Sequence, residues 1–297
     1  MQNSKDSCTL CPRECGSRQN GICQSYSSGI RIARYSLHEW EEPPISFQHG
    51  SGTIFFSGCN LRCVYCQNMA VSHENLGTEY SADKIADIII ELERMGAENI
   101  NLVTPTHYTH KLIPILKKVR PSLNIPIIWN SSAYEKVDTL RKLKGLIDIY
   151  LPDYKYADSE LSLKYSAAAN YPDIAKEAIA EMYSQVGDNV ISSNGKMLHG
   201  MIIRHLVLPG CKSNSISAIN AIAEIVPPAS SILSIMSQYT PSFAKHCSYK
   251  NLQRKITTFE YDRVCEHAER LGFNIFYQDI SSSSANYTPD FFGTKLK

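Results

Sequence analysis

The sequence predicts an α/β protein, a partial (β/α)6 barrel of the TIM type with a small cysteine-rich extension at its N-terminus. From residue 51 onward, apolar segments of strand length alternate with amphipathic segments of helix length. This alternation is typical of a parallel sheet covered by helices. Residues 51–280 supply six strand–helix units and a short seventh strand. A closed barrel of eight units takes about 250 residues, so we expect a barrel that stays incomplete.

We expect two parts along the chain. Residues 1–50 form a cysteine-rich extension and connector, and residues 51–297 form the barrel domain. The connector contains a short strand candidate at 30–33. The segment 40–44, with Pro43 and Pro44, predicts an irregular loop because prolines disfavour helix.

The barrel elements follow in order. The predicted strands cover 53–56, 99–104, 125–130, 146–151, 201–208, 231–237 and 273–278. The predicted helices cover 81–95, 109–119, 134–144, 158–182, 215–226 and 258–271. The first helix has an N-cap candidate in Ser81 and a stop signal in Gly96. Its apolar residues recur at helical spacing and predict one buried stripe: Ile85, Ile88, Ile89, Leu92 and Met95.

A loop after the first barrel strand carries Cys59, Cys63 and Cys66 at the spacing C-x3-C-x2-C. Three thiolates on one short loop can ligate three irons of a [4Fe–4S] cube and leave the fourth iron open. An open coordination position makes a metal site reactive rather than structural. Zinc is the alternative, but zinc loops usually pair two C-x2-C arms, and the sequence has no fourth ligand nearby. The pattern therefore favours an iron–sulfur cluster.

Residues 58–68 resemble the C-x3-C-x-aromatic-C signature of the radical S-adenosylmethionine (SAM) superfamily. The resemblance implies that the three cysteines ligate the cluster, that SAM binds the open iron, and that Tyr65 lies against cluster and adenine. It implies that an electron from the cluster cleaves SAM, and that a 5′-deoxyadenosyl radical then abstracts hydrogen from a substrate. It further implies an electron donor such as flavodoxin or ferredoxin. Asn68 is a further cofactor-binding candidate at the end of this loop.

Polar residues follow the predicted strands at their carboxyl ends, where the chemistry of such barrels sits. SAM needs cations for its carboxylate and hydrogen-bonding groups for its amino group and hydroxyls. Adjacent strand residues point to opposite faces, so either Arg204 or His205 faces the lumen. An ordinary ion pair or a helix cap is the alternative interpretation of each residue. The cofactor-binding candidates at these ends are Thr104, Asn130, Asp153, Lys155, Arg204, His205 and Gln238.

A narrower resemblance covers almost the whole chain. The segments GSGTIFFSGCNLRCVYCQN, NINLVTPTHY, LPDYK, RHLVLPG and MSQYTP are similar to uncharacterised proteins of the pyruvate formate-lyase activating-enzyme-like branch. A D-x-K segment of that family matches Asp153 and Lys155. The activating enzymes proper hold the SAM amino group with a Gly-Gly-Glu segment, where this chain has Thr104-Pro105-Thr106. The resemblance implies a glycyl residue of a partner enzyme as the substrate.

The N-terminal cysteines form a second motif. Cys8, Cys11, Cys15 and Cys23 follow C-x2-C-x3-C-x7-C. Four thiols within sixteen residues can close a metal site and fold a segment too small for its own core. The spacing matches neither a ferredoxin run nor a standard zinc ribbon. Zinc and a second [4Fe–4S] cluster both stay open as interpretations.

Composition excludes some function classes. A formal net charge of +1 gives no case for nucleic acid or an anionic membrane as partner. No apolar run is long enough to cross a bilayer, and the N-terminus lacks the pattern of a signal peptide. We therefore expect a cytoplasmic protein whose cysteines are metal ligands or buried thiols rather than a disulfide framework.

Three functions compete. The first is an oxidoreductase of the activating-enzyme type that abstracts hydrogen from a residue of a partner polypeptide. The second keeps the radical chemistry but modifies a small molecule or a short peptide. The third is a non-catalytic module that binds metal or SAM. Reductive cleavage of SAM would reject the third.

Overall fold

The computed structural model describes residues 8–16, 21–25, 28–279 and 291. Their strands form one ten-stranded sheet in the order β10-β9-β8-β6-β5-β4-β2-β1-β3, with β7 pairing on β8. The strands are β1 (Ile30–His38), β2 (Ser51–Phe56), β3 (Thr78–Tyr80), β4 (Ile100–Val103), β5 (Ile127–Ser131), β6 (Ile149–Pro152), β7 (Val190–Ile191), β8 (Met197–Leu206), β9 (Ile232–Met236) and β10 (Asn274–Tyr277).

The centre of the sheet is parallel. β2, β4, β5, β6, β8, β9 and β10 pair in parallel as neighbours, and β1 runs antiparallel to β2 and β3. Within the described ranges, β10 and β3 end the sheet without pairing to each other. The predicted α/β class and the partial barrel are confirmed. β1 extends the sheet into the segment predicted as a connector.

The helices are α1 (Pro43–Ser46), α2 (Met69–Ser72), α3 (Ala82–Arg94), α4 (Thr109–Val119), α5 (Val137–Leu140), α6 (Ser159–Ser166), α7 (Tyr171–Val186), α8 (Lys212–Ile225) and α9 (Thr258–Arg270). The longer helices, among them α3, α4, α7, α8 and α9, pack against the sheet through the larger core cluster, whereas α1 belongs to the second cluster. Among the helices in the described part of the chain, none is both long and apolar enough to traverse a bilayer.

Helix α3 shows how far local sequence signals decide an element. The Ser81 hydroxyl accepts a hydrogen bond from the Lys84 amide at 3.3 Å, as the N-cap prediction requires. The predicted stripe is buried as far as Leu92. The prediction was wrong for Met95, which is 46% exposed, because it lies beyond the last helical residue.

The strands alternate between two cores. In β6, Tyr150 faces the helices, while Ile149 and Leu151 face the barrel interior. The interior cluster is completed by Ile45 of α1, which packs against residues of β5, β6, β8 and β9. The Asn99 side chain holds α1 there by donating to the Ile45 carbonyl at 2.7 Å. The segment between β1 and β2 therefore fills the interior of the open barrel.

Two element predictions were wrong. Residues 43–46 form a helical turn rather than an irregular loop, because Pro43 and Pro44 occupy its first positions, where a missing amide proton costs nothing. The helix predicted over 158–182 is divided into α6 and α7. Ala167 adopts the left-handed conformation between them, with φ of 54°, and no periodicity in the sequence signals that break.

We predict an acid-sensitive contribution to stability at the start of α9. Glu260 accepts hydrogen bonds from Arg254, the Thr257 amide and the Gly210 amide. The Arg254 hydrogen bonds lower the pKa of Glu260 to about 2, although partial burial opposes them. A carboxyl whose pKa falls on folding stabilises the fold above its unfolded pKa. That stabilisation is lost as the pH falls from about 4.5 toward 2.

Glu260→Gln should therefore lower the free energy of unfolding by about 1–2 kcal/mol at pH 7. The deficit relative to wild type should shrink toward pH 3. Chemical denaturation at both pH values measures it, with Glu266→Gln on the exposed face of α9 as the control. An equal deficit at both pH values would contradict the assigned role of the carboxylate.

Candidate functional site

A cavity of about 340 Å³ opens at the carboxyl ends of the parallel strands. Its volume lies within the range of small-ligand sites. Most of the predicted site residues line it: Cys59, Cys63, Cys66, Tyr65, Asn68, Thr104, Asn130, Asp153, Lys155, Arg204 and Gln238. His205 does not line it. The cysteine loop thus shares one cavity with the polar residues from five strand ends.

The loop that carries the three cysteines is held in place from both sides. The Asn60 side chain donates to the Tyr134 carbonyl at 2.7 Å. The Arg62 and Val64 amides donate to the carbonyls at the end of α6, at 3.2 and 2.9 Å. Gly58 has φ of +85°, and a Cβ there would overlap the carbonyl oxygen of Cys23. Only glycine permits this close approach at the entry to the loop.

Each of the three thiols has a hydrogen-bond partner. The Leu61 amide donates to Cys59 Sγ at 3.4 Å. The Ser166 hydroxyl lies 3.0 Å from Cys63 Sγ, and the Ser72 hydroxyl lies 3.2 Å from Cys66 Sγ. Hydrogen bonds of this kind orient and tune thiolate ligands of metal sites.

The electrostatics of the loop fit a metal cluster. Burial, reinforced by the neighbouring cysteines, raises the pKa of Cys59 to about 12. Burial raises that of Cys63 to about 11, although Lys155 opposes it. Buried thiols that neighbour one another are costly to ionise without a cation, and bound metal ions supply that cation. Cys59, Cys63 and Cys66 therefore fit an iron–sulfur cluster by their number, their spacing on one loop and the cavity that they share, although within the described residues no three His, Cys, Asp or Glu side chains are arranged to hold a metal ion.

A lysine–aspartate pair stands beside the loop. Lys155 Nζ and Asp153 Oδ2 are 2.6 Å apart, with side chains 16% and 21% exposed. Burial disfavours the ammonium, but Asp153 and Cys63 outweigh it and raise the pKa of Lys155. Lys155 therefore remains a cation at the wall of the cavity and is suited to an anionic ligand group.

Arg204 also lines the cavity, and it is paired with two glutamates. Its guanidinium binds both oxygens of Glu42, at 2.7 and 2.5 Å, and also contacts Glu41. All three side chains are largely buried, and Asn101 donates to Glu41 at 2.8 Å. His205 points away from the lumen, with Nδ1 2.6 Å from the Tyr154 carbonyl. Burial lowers the pKa of His205 to about 4, so its ring is neutral.

Sequence reasoning missed the two glutamates. Glu41 and Glu42 precede two prolines in a segment assigned to an irregular loop, and both line the cavity. Adjacent carboxylates next to helix-starting prolines were the available signal. The sequence could not indicate that α1 enters the barrel and presents them to Arg204.

Thr104 carries backbone strain at the edge of the cavity. It has φ of +57°, a conformation that a β-branched residue rarely adopts. Its amide donates to the Asn130 carbonyl at 2.8 Å, which holds the turn after β4. This turn is where the activating enzymes proper carry Gly-Gly-Glu. Here Thr104 lines the cavity, whereas Pro105 and Thr106 do not.

The segments that carry the N-terminal cysteines lie against the loop of Cys59, Cys63 and Cys66, which we call the cluster loop. Cys11 and Cys23 are buried, whereas Cys15 is exposed. The Arg13 side chain donates to the Asn60 carbonyl at 2.7 Å, and Arg62 donates to the carbonyls of Ile22 and Ser72. The same absence of a preformed metal site in the described part of the chain holds for these cysteines. An N-terminal metal site stays a prediction.

Comparisons with known proteins give a family match and a similar protein. The family model described as Radical SAM superfamily matches residues 53–204. An uncharacterized protein of Methanocaldococcus jannaschii is 30% identical over 293 residues, covering 93% of this chain and 78% of that protein.

Two solved structures share the fold. SuiB of Streptococcus suis, bound to precursor peptide SuiA, aligns with a TM-score of 0.53 at 14% identity. The alignment covers 75% of this chain and 47% of SuiB, so the chain spans about half the length of SuiB. A radical SAM methyltransferase from Sphaerobacter thermophilus aligns with a TM-score of 0.52 at 12% identity, covering 80% of this chain and 70% of that one.

Proposed function

The chain belongs to the radical SAM superfamily, and we propose that it abstracts a hydrogen atom from a residue of a partner polypeptide. When bound, a [4Fe–4S] cluster supplies the electron that cleaves SAM and so generates the 5′-deoxyadenosyl radical. In this proposal, Cys59, Cys63 and Cys66 hold the cluster. Lys155 offers a cation to the SAM carboxylate, and Tyr65 closes the wall beside the cluster.

The observation that carries the polypeptide proposal is the open side of the barrel. The cavity is lined both by Trp40, just after β1, and by Tyr277 at the end of β10. These aromatic residues are 63% and 55% exposed, and exposed aromatic residues are typical of protein-binding surfaces. Phe291 places its ring 5.3 Å from that of Phe55, in the cavity wall. The Phe291 ring thus shows that an aromatic side chain fits against this wall.

The test is electron paramagnetic resonance after anaerobic incubation with SAM, a reductant and candidate partner polypeptides. We expect a protein-based radical on one partner polypeptide. If the reaction is of the activating-enzyme type, this radical lies on a glycyl residue. Trp40→Ala with Tyr277→Ala should weaken radical formation. Phe259→Ala, at an equally exposed aromatic residue on α9, is the matched control. Formation of 5′-deoxyadenosine without a radical on any partner polypeptide would count against the proposal.

A small molecule or a short peptide is the second candidate substrate. The polar interior of the cavity favours it, since Arg204, Glu41 and Glu42 line the same space as the cysteines. The chain also lacks the Gly-Gly-Glu segment of activating enzymes. Dialysis distinguishes the two candidates. A small-molecule substrate predicts that 5′-deoxyadenosine formation falls when metabolites are removed and returns with a protein-free extract.

Two further parts of the proposal concern cofactors and partners. We propose that Cys8, Cys11, Cys15 and Cys23 bind zinc or a second [4Fe–4S] cluster. Their contact with the cluster loop through Arg13 supports a structural role for such a site. We also propose a flavodoxin or ferredoxin as the electron donor. Metal analysis addresses the first proposal, and SAM cleavage with each reduced donor addresses the second.

A further inference from the structure

A chain of buried hydroxyl groups runs from the cavity wall to one of the three loop thiols. Tyr65 Oη and Tyr156 Oη are 2.6 Å apart, and Tyr156 Oη is 2.8 Å from Ser166 Oγ. Ser166 Oγ is in turn 3.0 Å from Cys63 Sγ. Tyr156 and Ser166 are fully buried, and Tyr65 is 8% exposed. We call these three residues the hydroxyl relay.

Neighbouring groups hold two members of the relay, Ser166 and Tyr156. Ser166 is the last residue of α6, and its carbonyl accepts from the Arg62 amide of the cluster loop at 3.2 Å. The Tyr156 ring packs edge-on against Tyr171, with centroids 5.5 Å apart. The Tyr171 hydroxyl donates to the Asp153 carbonyl at 2.7 Å. These contacts fix the backbone of Ser166 and the ring of Tyr156.

A thiolate ligand fixes the direction of the hydrogen bonds. Cys63 bound to a metal can only accept, so Ser166 donates to its sulfur. Tyr156 then donates to Ser166, and Tyr65 donates to Tyr156. Each donation polarises the next hydroxyl and strengthens the bond that reaches the sulfur. Hydrogen bonds to ligand sulfurs stabilise the more negative, reduced state of an iron–sulfur cluster and raise its reduction potential.

We infer that Ser166, supported by Tyr156 and Tyr65, is a positioning residue that raises the reduction potential of the cluster through Cys63. This inference rests on the proposed function, since it requires a cluster on Cys63. The same hydroxyls link the cluster to the cavity, because Tyr65 lines the cavity.

The experiment is an anaerobic redox titration of the reconstituted full-length protein, followed by the absorbance and paramagnetic signal of the cluster. Ser166→Ala should shift the midpoint potential to a more negative value. Tyr156→Phe keeps the Ser166 hydroxyl. It should shift the midpoint potential in the same direction but by a smaller amount. Ser162→Ala is the matched control. Ser162 is also a buried serine of α6, but its hydroxyl donates to the Ser159 carbonyl at 3.0 Å.

The outcomes separate the inference from the proposed function. Wild type that binds no iron would overturn the proposed function. Wild type with a cluster whose potential equals that of Ser166→Ala would overturn the relay and leave the proposed function intact. If Ser166→Ala fails to assemble a cluster, Tyr156→Phe decides. If Tyr156→Phe has the same midpoint potential as wild type, the inference is overturned. If its midpoint potential is more negative while that of the Ser162→Ala control is unchanged, the inference is supported.

Discussion

Replacing Cys59, Cys63 and Cys66 together by alanine should remove about four irons per chain and abolish the formation of 5′-deoxyadenosine. The three thiols line one cavity, and each has a hydrogen-bond partner. Alanine offers no ligand in their place, so the cluster has no remaining anchor on the loop. Anaerobic reconstitution, iron and zinc analysis, and chromatographic assay of 5′-deoxyadenosine measure both effects.

Cys247→Ala is the control, because Cys247 is half-buried and does not itself line the cavity. It should retain iron and product formation at wild-type levels. Iron or zinc that remains in the triple variant would be assigned to the four N-terminal cysteines. A triple variant that keeps all its iron and still cleaves SAM would refute the assignment of the cluster to this loop.

Arg204→Met should lower the free energy of unfolding at pH 7 by about 3–5 kcal/mol. Methionine preserves much of the side-chain volume but leaves Glu41 and Glu42 without their cation. The Arg204 side chain is 13% exposed and those of the glutamates 8% and 6%, so water replaces the lost partner only in part. Burial raises the pKa of Glu42, and Arg204 outweighs burial to hold it below its ordinary value.

Two further variants test the cause of this loss. Arg204→Met combined with Glu41→Gln and Glu42→Gln should recover much of the stability, because no buried charge remains. Arg263→Met removes an exposed pair with Glu266 at 3.0 Å and should cost less than about 1 kcal/mol. The deficit of Arg204→Met should also shrink as the pH falls and the unpaired carboxyls bind protons. A deficit that persists in the combined variant would point to packing rather than charge.

Local features of the fold were predictable from the sequence. Helix α4 covers 109–119, as predicted, and the N-cap of α3 is Ser81. The seven parallel strands match the seven predicted segments to within a few residues. These features depend on neighbours within a turn or a strand, which sequence periodicity and capping residues report directly. The division between α6 and α7 was not predictable, since it depends on one backbone conformation at Ala167.

The sequence by itself determined the candidate cluster loop, because three cysteines within eight residues need no distant contact to share a metal. It also determined the alternation of strands and helices. Only the tertiary structure decided that Arg204 faces Glu42, 162 residues away, and that Ser166 reaches Cys63, 103 residues away. The first pair forms because α1 packs inside the barrel. The second forms because the end of α6 contacts the loop of the three cysteines. The chemistry of both pairs depends on burial and direction, which no local pattern of residues encodes.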